Sequence, residues 1–172
     1  MTAGEKFFAK YRGVVRDNAD PDQRGRVKLV VSDVYDNQET GWAEPCVPYA
    51  GNGVGLFAVP PVGANVWVEF ERGEIAHPIW SGCFWAQGEA PINPEISNPA
   101  IPGTKVFKTD VGTITLGTLG RREEGTGIKI ETSNGMKIVI NANGIEINNG
   151  QNASIKLSGA QVSINGNALE VT

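Results

Sequence analysis

Apolar and polar residues alternate along much of this chain, most regularly from Gly127 to Thr172. Glycine recurs there every six to nine residues, and a short alternating run follows each time. One parity carries Ile128 and Ile130, then Met136, Ile138 and Ile140, then Ile145 and Ile147, Ile155 and Leu157, Val162 and Ile164. A period of two is that of a strand with one buried face. Asn-Gly and Ser-Gly steps close most frames, where glycine reaches positive φ without steric cost. The pattern predicts repeated strands whose apolar side must be covered by something. A single-chain solenoid needs roughly 20 or more residues per coil and about three coils. A frame of about eight residues holds one strand and one turn, so it encloses no core alone. Three copies about a common axis could each supply one wall of a prism. Residues 105–172 are therefore expected to form an intertwined trimeric β-helix with those eleven apolar residues as its trimer core. An ordinary β-meander is the alternative.

Upstream the alternation is less regular but still strand-like. Five runs, Tyr11–Arg16, Gly25–Val31, Trp42–Val47, Asn65–Glu71 and His77–Trp85, are separated by turn chemistry such as Asp20-Pro21 and Pro60-Pro-Val-Gly63. In the fourth run Val66, Val68 and Phe70 face one way and Trp67, Glu69 and Glu71 the other. Short strands at this density fit a five-stranded barrel of the oligonucleotide/oligosaccharide-binding type over residues 1–86, with an SH3-like barrel as the nearest alternative. Helical periodicity is confined to a turn or two within Thr2–Tyr11. Residues 87–104 are proline-rich and aperiodic, which reads as an extended linker. The expected class is all-β throughout.

Composition narrows the function. A formal net charge of −4 with both signs interspersed argues against a nucleic-acid partner, which usually requires a basic stripe. The N-terminus has no apolar core of signal-peptide length and no run approaches a membrane span, so synthesis in a cytoplasm is expected. Cys46 and Cys83 lie in apolar runs without a second ligand at metal spacing, and two buried thiols are expected rather than a disulfide.

Few residues invite a chemical role. Gly51-Asn-Gly-Val-Gly55 has the glycines of a phosphate loop, but it runs into Leu56-Phe-Ala-Val rather than a helix N-terminus, so a barrel loop is expected. Glu69 and Glu71 stand about 7 Å apart along a strand, near the spacing of a glycosidase pair. No cleft-forming segments accompany them, and a salt-bridged turn with Arg72 and Glu74, or a contact with a partner, is the simpler reading. His77 is the one histidine and is read as structural. Trp42, Trp67, Trp80 and Trp85 are assigned to core or interface packing, and Arg121-Arg-Glu-Glu124 to a solvated turn. No catalytic, cofactor-binding or metal-binding residue is expected.

Tyr11-Arg-Gly-Val-Val, Asp20-Pro, Gly25-Arg-Val-Lys-Leu, Trp42 with Pro48-Tyr-Ala-Gly51, Gly55, Pro60-Pro-Val-Gly63, Val66-Trp-Val-Glu-Phe-Glu-Arg-Gly-Glu74 and His77-Pro-Ile-Trp-Ser-Gly82 resemble the barrel of contractile-tail spikes. That family includes phage baseplate assembly protein V, the central spikes of large myophages and type VI secretion spikes. The resemblance covers most of residues 8–85 and implies a homotrimeric needle seated on a tail hub protein and driven through the outer membrane of a target cell. It also implies assembly in the bacterial cytoplasm as part of a virion tail baseplate or an extracellular injection particle. Some relatives carry an iron-binding His-x-His apex, which a chain with one histidine cannot build; others carry a lysozyme domain, for which residues 86–104 leave no room. A small conical tip protein of the PAAR type is therefore expected to dock at Leu169, Val171 and Thr172. An oligosaccharide- or nucleic-acid-binding barrel on a β-helical stalk is the alternative function, and a cell-wall hydrolase a third.

Overall fold

A computed structural model describes residues 6–91, 103–119, 125–166 and 168–171. The chain divides into two compact units, Met1–Ala90 and Pro91–Thr172.

In the first unit the strands are β1 (Tyr11–Asp17), β2 (Lys28–Val30), β3 (Glu44–Pro45), a small hairpin of β4 (Ala50–Gly51) and β5 (Val54–Gly55), β6 (Asn65–Phe70) and β7 (Pro78–Cys83). Five of them form one sheet in the order β2-β1-β6-β7-β3, antiparallel except for β3 beside β7. The two ends of that order meet. Val27 and Ala43 exchange both backbone hydrogen bonds (3.2 and 2.8 Å), and Thr40 N–H donates to the Leu29 carbonyl (2.8 Å). A closed barrel results, which removes free edges. Its core is the inward parity of the strands: Val15, Val27, Leu29, Val31, Val66, Val68, Phe70 and Trp80. Gly13 is glycine because a Cβ there would lie 2.7 Å from a Val68 methyl.

The connection from β1 to β2 is organised by one carboxylate. Asp20 accepts the backbone N–H groups of Asp22 (3.1 Å), Arg24 (2.8 Å) and Arg26 (3.2 Å), and Arg26 Nη2 at 2.6 Å. The Arg26 guanidinium, aided by those N–H groups, holds its carboxyl well below the usual carboxylate range. A group depressed in the folded state adds stability above its unfolded pKa, about 3.9 for Asp, and loses it as pH falls further. Asp20→Asn should therefore lower the urea midpoint of the protein at pH 7. The loss should shrink at pH 3; an equal loss at both pH values would contradict this role.

The second unit is a single sheet. Its strands are β8 (Lys105–Lys108), β9 (Gly112–Thr118), β10 (Thr126–Thr132), β11 (Lys137–Asn141), β12 (Gly144–Asn148), β13 (Ser154–Ser158), β14 (Gln161–Ile164) and β15 (Leu169–Val171). They pair in chain order, each antiparallel to the next. The glycine-punctuated frames thus form strands, but the ladder is a meander within one chain. Tight turns reverse the chain, as at Ala142-Asn143 and Gly159-Ala160, so consecutive frames become neighbours. The interchain ladder of an intertwined β-helix is not seen in one chain; the all-β class holds.

Three local expectations change. Residues 6–10 of the expected N-terminal helix are irregular, because Phe7 N–H bonds the Gly73 carbonyl (3.0 Å) and its ring packs on Tyr11 and Phe70. One helical turn, α1 (Ser32–Tyr35), appears instead, too short for periodicity to reveal. Cys46 and Cys83 are free thiols but exposed, not buried; Cys46 directly follows β3 and Cys83 is the last residue of β7.

Candidate functional site

The cross-strand register of the second unit gathers its alternating residues into two apolar rows. Phe107, Ile114, Ile130, Ile138, Ile147, Ile155, Ile164 and Leu169 are successive partners across the sheet. Leu116, Ile128, Ile140, Ile145, Leu157, Val162 and Val171 form the second row. Because side chains alternate, both rows lie on one face. Nothing in the described chain covers them: Ile130 is 44 % exposed and Ile138 39 %. On that face the sheet opens a trough of about 600 Å³ bounded by Ile130, Met136, Ile138, Ile147, Ile155 and Ile164. The opposite parity runs Thr115, Lys129, Val139, Glu146, Lys156, Ser163, a mixed row in which Thr115 and Val139 are buried and Glu146 stands directly across from Lys156. There Lys129 pairs with Glu131 at 2.9 Å.

Of the residues assigned to a trimer core, ten lie in these rows, and Met136 sits in the β10–β11 turn beside them. Phe107, Ile114 and Leu116 extend the face and were not singled out from sequence, although Ile114 and Leu116 alternate in the same way. Leu169 is exposed at the end of the first row, Val171 takes its place in the second by backbone register, and Thr172 lies outside the described residues. Arg121 to Glu124 also lie outside them.

The barrel resolves the other candidates. Gly51 and Val54 pair in the β4–β5 hairpin, and the chain continues as extended backbone, so no helix end faces the glycines. Beneath that hairpin lies a cavity of about 450 Å³ walled by Gly25, Pro45, Val47, Tyr49, Phe57 and Trp80. Glu69 accepts from Lys10 Nζ at 2.7 Å, and this ammonium pulls its carboxyl below the ordinary value. Glu71 opens the 3-10 turn Glu71–Gly73, and Glu74 pairs with Lys6. Glu69 is thus a charged ion-pair partner, not a raised-pKa acid beside a base. His77 is bound through its backbone, donating to Glu74 and accepting from Glu71. Trp80 is core, with Nε1 donating to the Gly25 carbonyl (3.1 Å). Trp42 lies under Lys28 Nζ (4.9 Å) and Trp67 under the Arg12 guanidinium (5.1 Å), while Trp85 is exposed. Among the described residues no group of three or more His, Cys, Asp or Glu side chains converges. No described helix is long and apolar enough to cross a membrane.

A closed five-stranded barrel followed by a one-sided apolar meander defines a barrel-plus-assembly-domain protein. The model of the type VI secretion system/phage-baseplate injector OB domain matches residues 11–85, and that of the phage baseplate V C-terminal trimerisation domain matches residues 105–170. The chain belongs to the baseplate V spike family of phage tails and type VI secretion systems. Its C-terminal domain is a trimerisation domain, which supports a homotrimer. No curated protein matches the chain.

Proposed function

We propose that the protein is the membrane-piercing spike of a contractile tail or injection baseplate, a homotrimer that docks by its barrel on the tail hub and is driven through the outer membrane of the target cell. The observation that carries this reading is the pair of uncovered apolar rows running the length of the meander. A one-layer sheet with an apolar face this long is not stable in water by itself. Three such faces turned inward make a dry prism. Stiffness then comes from each chain's own ladder and from the shared core, and the part works mechanically, without catalysis. A conical tip protein of the PAAR type fits the end carrying Leu169, and assembly takes place in the cytoplasm before the particle acts outside.

Gel filtration with light scattering should return three times the 18.3 kDa chain mass. In a dye-release assay, outer-membrane vesicles should leak only when the trimer is forced onto them, for instance by sheath contraction in assembled particles. A monomer in solution, or particles that still empty their target without this chain, would end the reading.

A further inference from the structure

Outward-facing residues at and just before the barrel's β1 form a cationic stripe that the core does not use. Lys10, just before β1, and Arg12 lie on the parity opposite Tyr11, Gly13 and Val15, whose side chains or Cα face the core, and Arg16 is exposed in the bulge between Val15 and Asp17. Lys10 is neutralised by Glu69 and also donates to Ser81 Oγ at 3.1 Å. Arg12 and Arg16, by contrast, have no carboxylate partner among the described residues. Arg12 is nonetheless held in place: its guanidinium lies 5.1 Å from the Trp67 ring centre and 4.7 Å from that of Phe84, and the two rings are 4.7 Å apart.

Stacking fixes a guanidinium plane while leaving its edge N–H groups free to bind a carboxylate in a fork. An Arg laid over Trp and Phe on an open sheet face also has the composition of an interface hot spot, where little side-chain freedom is left to lose on binding. We propose that this face of β1 and β6 is where the barrel docks its hub, through carboxylates of the partner that pair with Arg12 and Arg16. The inference rests on the hub-docking reading above and assigns it a face and a chemistry. An acidic protein segment fits better than a nucleic acid. The chain's net charge of −4 disfavours a long polyanion, whereas a few local carboxylates need only the stripe.

The full-length trimer and the hub protein of the same particle supply the test, with affinity measured at about 0.05, 0.15 and 0.5 M NaCl. Wild-type binding should weaken as salt rises. The Arg12→Glu/Arg16→Glu double variant should bind about tenfold more weakly or worse at the middle salt, with a flatter salt dependence. Arg72→Glu, in the 3-10 turn that follows β6, should bind like wild type. Should the Glu variant lose its trimer or its circular dichroism, Arg12→Gln/Arg16→Gln takes its place with the same expected direction. If the hub binds all variants equally, hub docking stands and this face is wrong. If the hub does not bind wild type at all, the docking reading fails and this inference with it. If a double-stranded DNA oligonucleotide, and not the hub, is released by the double variant, the ligand is a nucleic acid and the proposal is overturned.

Discussion

Ile138→Lys should leave single chains where the wild-type protein forms trimers. Ile138 sits in the middle of the first apolar row, flanked across the sheet by Ile130 and Ile147. In the proposed trimer three copies of any residue in that row approach one another near the axis. Three ammonium groups would then enter a dry core with no carboxylate to meet them. Burial of one unpaired charge costs several kcal/mol even after relaxation, and like charges add to it. Each copy also forfeits the roughly 1.5–3 kcal/mol gained when a large aliphatic side chain leaves water. Light scattering should therefore report a mass near 18.3 kDa, or aggregates of it, and SDS resistance of the unboiled sample should vanish. Lys156→Ala, on the opposite parity, is the matched control and should keep the trimer. A trimeric Ile138→Lys protein would mean that the rows do not form the assembly core.

Gly144→Ala should be the most damaging single methyl in the second unit. Gly144 starts β12 at φ +127, and a Cβ there would come within 1.9 Å of the Leu157 carbonyl oxygen, which belongs to the neighbouring β13. The backbone conformation alone costs an L-residue about 1–3 kcal/mol. Relief of the overlap requires β12 and β13 to separate, which breaks the ladder and misaligns Ile145 with Leu157. Gly135 provides the comparison, since it too has positive φ (+87) but open space around its Cβ. Gly135→Ala should show only the conformational cost, so its melting temperature should fall much less than that of Gly144→Ala. Equal losses would place the whole effect in φ and none in the contact between strands.

Much of this is legible in the sequence. Alternation at Ile128/Ile130 through Val162/Ile164 identified strands, the face they share and the need for a covering partner, because a period of two leaves no other way to segregate apolar side chains. Val66, Val68 and Phe70 fall on one face for the same reason, and the structure buries all three. The repeat could not say whether successive frames pair with each other or with other chains, since both arrangements place the same residues on the same face. Turn geometry in three dimensions decided for the antiparallel meander.

Other features depend on residues that meet only after folding. Asp20-Pro21 reads as a turn opener, but that its carboxylate collects three backbone N–H groups and Arg26 follows from the path of the whole connection. The cations at 10, 12 and 16 already share a parity in the sequence. That Glu69 neutralises Lys10 while Arg12 lies on Trp67 and Phe84 depends on the pairing of β1 with β6 and on Phe84 at the end of β7. By itself the sequence determined the strands, their buried parity and the demand for partners, all consequences of local geometry and water. Only the tertiary structure decided pairing direction, the Asp20 hub of the β1–β2 connection and the setting of Arg12 against Trp67 and Phe84, because each requires groups far apart in the chain to be brought within a few ångströms.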